Sequence, residues 1–153
     1  MAVTYVPIAT NTLGSSAATV TFSSISGSYT DLICVITRKT GSANYEDMKI
    51  QINGDTGNSY STTLLGLTGT TAESARYSNY SSSVFVDVDA GTSKTASYYN
   101  PVIIQLMNYS NTTTYKTWLV RGGNSETGID AMVGLWRSTA ARSEEHTSEL
   151  QSH

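Results

Sequence analysis

Side chains able to do chemistry are few in this 153-residue chain. Both histidines, His146 and His153, fall in its last eight residues, so residues 1–141 contain no imidazole. Without it there is no Ser-His-Asp or Cys-His arrangement. Nor is there a His/Cys cluster of the kind that zinc or copper needs. No cofactor and no metal is expected, and the chain is read as a non-enzyme. Cys34, the single cysteine, lies in the apolar run Asp31-Leu-Ile-Cys-Val-Ile36 and reads as a small core residue. A lone cysteine also excludes an intrachain disulfide.

Nine acids precede residue 142: Asp31, Glu46, Asp47, Asp55, Glu73, Asp87, Asp89, Glu126 and Asp130. A glycosidase needs two of them about 5–10 Å apart across a cleft, and no pair is marked out by spacing. Asp87-Val-Asp89, or Asn53 with Asp55, offers oxygens to a calcium ion but lacks the spacing of a calcium loop. Turn-forming or solvated roles are preferred for both.

The remaining chemistry is aromatic and amide. Tyrosine rings stack on the C–H faces of sugars, while amides and hydroxyls meet sugar hydroxyls. Among ten tyrosines, three loop groups combine both residue types: Tyr77, Asn79 and Tyr80; Tyr98, Tyr99 and Asn100; and Asn108, Tyr109 and Asn111. The competing reading is packing, because tyrosine is at home in sheets and its hydroxyl tolerates half-burial. Trp118 and Trp136 sit within strand patterns and are expected in the core. The Asn-x-Ser/Thr triplets at Asn79, Asn108 and Asn111 carry no weight, since no secretory signal is read at the N-terminus.

The elements that must position these groups are strands. Met48, Ile50 and Ile52 alternate with Lys49, Gln51 and Asn53, a period of two. Val84, Val86 and Val88 alternate likewise, and Val102, Ile104 and Leu106 share a face opposite Ile103 and Met107. Residues 30–38 are apolar on both sides, which predicts a central strand covered on both faces. Further strands are predicted over 3–9, 19–25, 59–67, 72–77, 115–121 and 129–137. Asn53-Gly-Asp-Thr-Gly57, Ser26-Gly-Ser28, Ala90-Gly-Thr92 and Gly122-Gly-Asn124 supply turns. About ten short strands without an amphipathic helix predict an all-β domain, a jelly-roll-like β-sandwich.

Composition agrees. Thr and Ser together make 45 residues, only 14% are charged, and the net charge is -3. That balance argues against a nucleic-acid partner, which calls for a basic face. No apolar run approaches the roughly 20 residues of a membrane span, and the chain is expected to stay soluble after synthesis in a cytosol.

Residues 142–153, Arg-Ser-Glu-Glu-His-Thr-Ser-Glu-Leu-Gln-Ser-His, resemble one translated frame of a common sequencing-library adapter. They are read as an artefactual tail behind a single domain over 1–141, with the natural C-terminal strand missing. An unpaired sheet edge would result, which invites aggregation.

Several stretches carry a family resemblance: Tyr5-Val-Pro-Ile-Ala-Thr, Tyr29-Thr-Asp-Leu-Ile, Ile52-Asn-Gly-Asp-Thr-Gly-Asn-Ser-Tyr-Ser61, Asn111-Thr-Thr-Thr-Tyr-Lys-Thr and Val133-Gly-Leu-Trp-Arg-Ser-Thr-Ala-Ala141. In that order they resemble small virion-associated proteins of tailed bacteriophages. The resemblance implies a β-sandwich used as a tail fibre, baseplate or head-decoration module, located in the virion after assembly in the host cytoplasm. It implies a homo-oligomer, a trimer by preference, touching other virion proteins and weak host-surface glycans through many copies. The alternatives are a carbohydrate-binding module of a larger enzyme system and, last, a small glycosidase.

Overall fold

The computed structural model describes residues 5–39, 48–68, 70–80, 84–87, 99–124 and 128–140. Among them there is no helix. The strands are β1 (Leu32–Lys39), β2 (Met48–Ile50), β3 (Tyr60–Thr68), β4 (Thr71–Tyr80), β5 (Val84–Asp87), β6 (Tyr99–Met107), β7 (Lys116–Asn124) and β8 (Gly128–Trp136). Six form one antiparallel sheet in the order β1-β6-β7-β8-β3-β4, and β2 pairs with β5 in a second, small sheet. The all-β expectation holds.

Alternation sorts the side chains of the large sheet onto two faces. The inner face carries Tyr60, Val102, Trp118, Val120, Met132 and Trp136, all essentially solvent-free, with Leu64, Ile104 and Leu106 beside them. Ile52 joins this cluster from the segment after β2, and Met48, Ile50 and Ile25 pack against it. Both tryptophans are therefore core residues, as their strand setting implied. Gly134 is the hinge of this packing. A Cβ placed there would lie 1.8 Å from Cε2 of Trp118, so the indole lies flat on the bare backbone of β8.

Two predicted strands are absent. Residues 5–25 form no strand ladder among the described residues, and positions 5–24 are exposed; residues 3 and 4 lie outside the described set. The period-two pattern is present there, but a strand needs a neighbour to satisfy its backbone. A second correction concerns β1. Among the described residues it is an edge strand with β6 as its one ladder, not a central one, and its burial alternates strictly. Val35 is 71% exposed, while Cys34 is half-buried and its thiol pKa is raised by desolvation.

Turn chemistry came out as read at Asn53-Gly54, whose φ angles of 53° and 66° lie in the left-handed region that Asn and Gly tolerate. The turns at Ala90-Gly-Thr92 and the adapter-like tail 142–153 lie outside the described residues. So do Asp89 and the side chain of Asp87.

Candidate functional site

Of the nine predicted ligand residues, the eight that are described do not converge. The pairing Lys39↔Tyr99 and Arg38↔Asn100 places the start of β6 at one end of the sheet. Tyr60↔Tyr80 places the end of β4 at the other, where the β6–β7 turn also lies. The ends are seven residues of β6 apart, about 23 Å at ~3.3 Å per residue. Even at the shared end, β4 and the β6–β7 turn stand some three strands apart, about 15 Å by the usual spacing.

Each residue also has a local duty. Tyr77 is half-buried against the core on the inner face of β4. Asn79 is the extra residue of a β-bulge: Tyr60 faces Tyr80 while Ser61 faces Ser78, and Asn79 takes a φ of 59°. Its Oδ1 accepts a hydrogen bond from Arg137 Nη2 at 3.0 Å. Tyr80 contributes its backbone to the ladder with Tyr60. Tyr98 lies outside the described residues. Tyr99 is 64% exposed, whereas Asn100 is buried on the inner face with no hydrogen-bond partner for Oδ1 among the described residues.

The β6–β7 turn is built by its own polar groups. Asn108 adopts a φ of 59°, and its N–H donates to Asp31 Oδ1 at 2.8 Å. Tyr109 is buried; its N–H donates to the Thr30 carbonyl at 2.7 Å and its hydroxyl lies 3.5 Å from the Ile25 carbonyl. Asn111 Oδ1 accepts from the Thr113 and Thr114 N–H groups at 2.8 Å and 2.9 Å, an Asx turn. The Asn111 amide oxygen is thus committed to its own turn.

What the sequence did not disclose is a polar latch between the segment after β2 and the end of β8. Trp136 Nε1 donates to Asp55 Oδ2 at 2.6 Å, and the Gly57 N–H donates to Asp55 Oδ1 at 2.7 Å. Partial burial pushes the Asp55 carboxyl up, but the bonds from Trp136, Gly57 and Ser59 outweigh this and hold it below its ordinary value. The Tyr60 hydroxyl accepts the Ile52 N–H at 3.1 Å and sits 3.3 Å and 3.2 Å from the Ile52 and Asp55 carbonyls. Burial is the main cause that pushes its pKa to about 12.

Tyr60 stacks on Trp136 with ring centroids 6.4 Å apart and planes within 10°. The Lys116 ammonium lies 5.5 Å over the Trp136 ring and donates to the Ser138 carbonyl at 3.1 Å; burial lowers its pKa. Arg137 completes the latch, donating to Ser61 Oγ, to the Asn58 carbonyl at 2.9 Å and to Asn79. Asp55 is thus a structural acceptor, as a turn role implied. Among the described residues no group of three or more His, Cys, Asp or Glu could hold a metal ion.

The outer face of the large sheet is the surface with unspent capacity. Leu65, Ile129 and Val133 are each more than half exposed, and Leu119 and Ile33 more than a third. Register makes the apolar positions contiguous: Val35 is opposite Ile103, Leu119 opposite Val133, and Leu67 opposite Ile129. The charged side chains on this face are Lys39, Arg76 and Arg121, at its margin and on β7. Exposed apolar surface of this kind is the candidate interaction surface of the molecule.

Comparison of the chain with family models, with curated proteins and with solved structures returned no match. No described helix is long and apolar enough to cross a membrane.

Proposed function

We propose that this chain is a non-enzymatic structural or receptor-binding module of a tailed-phage virion, a tail-fibre, baseplate or head-decoration component that works as a homo-oligomer. The observation that supports it most is the contiguous apolar outer face of the six-stranded sheet. A sheet of six strands up to nine or ten residues long presents roughly 800 Å², the share one partner contributes to an ordinary stable interface. The phage-protein resemblance of the sequence supplies the setting. In this reading β2 and β5 belong to the second layer of a jelly-roll-like sandwich, and neighbouring virion proteins or copies of the chain cover the outer face. Host glycans are then met weakly and repeatedly, by exposed rings such as Tyr99.

The carbohydrate-binding-module alternative needs aromatic rings grouped on one accessible surface. Of the proposed tyrosines with described side chains, Tyr77 and Tyr109 are engaged in packing and Tyr99 stands at the far end of the sheet. The assembly reading is therefore preferred. Light scattering of residues 1–141, combined with binding of the labelled protein to intact bacterial cells, tests it. A discrete trimer or larger ring with saturable cell binding is expected. A clean monomer that binds soluble glycans instead would replace this reading with the carbohydrate-binding module.

A further inference from the structure

Two pieces of this chain are each half of an unfinished sheet. Strand β1 carries apolar residues on both faces, with Leu32, Cys34 and Ile36 inward and Ile33 and Val35 outward. A strand of this kind tolerates cover on both faces. Yet one edge of β1 has no ladder among the described residues, which leaves a row of N–H and C=O groups open to another strand.

The segment before it has the converse deficit. Residues 18–22, Ala-Thr-Val-Thr-Phe, are β-favouring residues in strict alternation. They form no ladder among the described residues, and Val20 and Phe22 are exposed. No residue between Tyr5 and Thr30 is charged, so the arm has no charge to desolvate on docking.

The arm is anchored where it meets the sheet. Tyr109 in the β6–β7 turn holds the chain at Thr30 and Ile25, and Asp31 is tied to Asn108. That turn lies on the side of β1 already paired with β6, and Ile25 packs against the core there. The chain is thus anchored at residues 25–31, and residues 18–22 form no ladder with the free edge of their own β1.

We propose that residues 18–22 of one copy add as a strand to the free edge of β1 in a second copy. This rests on the assembly reading above and names its contact. Backbone hydrogen bonds supply the affinity and the alternating side chains set the register, as in strand addition generally. Val20 and Phe22, two residues apart, fall on one face and cover Ile33 and Val35. Because each copy offers one arm and one edge, a reciprocal exchange gives a dimer, and a head-to-tail one gives a ring where its rotation closes.

Disulfide trapping between distinguishable copies tests the contact. In a Cys34→Ala background, a Val20→Cys protein is mixed with a size-tagged Val35→Cys protein and oxidised with diamide. Directly opposed residues on one sheet face hold their Cβ atoms about 4.5–5.5 Å apart, near enough to bridge. The expected product is the mixed covalent dimer, at least tenfold above a Val20→Cys and Ser74→Cys control on the opposite edge strand. In parallel, Val20→Pro alters an exposed, unpaired position and is expected to lower the solution mass to that of a monomer, with an unchanged melting temperature of the dissociated chain.

An oligomer that survives Val20→Pro without mixed disulfide would overturn the exchange while leaving the assembly reading standing. An intrachain bridge in the Val20→Cys/Val35→Cys double variant would overturn it in favour of closure within one copy. A wild-type chain that is monomeric at every concentration would remove the assembly reading and the exchange together.

Discussion

The two faces of the six-stranded sheet are made by the same strands from similar residues, and they behave as different materials. Inward, Trp118, Trp136, Tyr60, Met132 and Val102 lose all contact with water; outward, Leu65, Ile129 and Val133 keep most of theirs. Side-chain type does not make the difference. The inner face is covered by Ile52, Met48 and Ile50 and closed by the Asp55–Trp136 latch, whereas no described residue covers the outer one. Burial in a sheet is decided by what lies over it, and alternation announces only that two faces exist.

Five measurements sharpen or break that contrast. Gly134→Ala should have the largest effect, because its methyl has no room beneath the Trp118 indole. Overpacking ordinarily costs about 1–3 kcal/mol and more where the ring is pinned, so loss of a cooperative urea transition is expected. Trp136→Phe comes next. It removes the donor to Asp55 and part of the stack on Tyr60, and a loss of roughly 2–3 kcal/mol in urea unfolding is expected. Tyr60→Phe leaves the buried Ile52 N–H without its acceptor and should cost about 1–3 kcal/mol by the same assay.

Asp55 gives the contrast a pH dependence. Its folded pKa lies below the ordinary 3.8, so the native state binds fewer protons than the unfolded chain over that interval. The contribution is complete above pH 3.8 and is lost as pH falls through the lower folded value. Melting curves between pH 5 and pH 2 should show a drop that Asp55→Asn lacks. Smallest is Val133→Thr on the outer face, expected within about 0.5 kcal/mol in a dissociated chain. A cost several times larger in the monomer would show that this face is covered within one copy.

Much of the fold was legible residue by residue, and its limits have physical causes. Strands β3, β6, β7 and β8 could be read because alternation and turn residues are local signals. The inward tryptophans and the Asn53-Gly54 turn followed from the same signals. The place of β1 could not be read, since being apolar on both sides describes what a strand tolerates and not which neighbours it receives. Residues 19–25 carry a strand pattern, but a pattern supplies no hydrogen-bond partner. The latch was illegible for a related reason: Asp55 meets Trp136 across 81 positions, and nothing near either announces the other. The proposed ligand loops failed to converge because strand order, which sets the end of the sheet where each loop emerges, has no local signature.

The latch has a kinetic meaning as well. Strands β6, β7 and β8 follow one another as neighbours, and β3 turns directly into β4, so each group closes over short loops. The β3–β8 ladder joins the two groups, pairing Tyr60 with Trp136 and Thr68 with Gly128. Such distant pairings form late because long loops must close first. Asp55, Arg137 and the Tyr60–Trp136 stack all bridge that seam at one end. They should act as a clasp fastened after the chain has assembled: Arg137→Met is expected to speed unfolding in stopped-flow experiments and leave the folding rate nearly unchanged. How long the sheet survives between openings would then be set by a few polar contacts at its rim, while its hydrophobic interior sets how readily it forms.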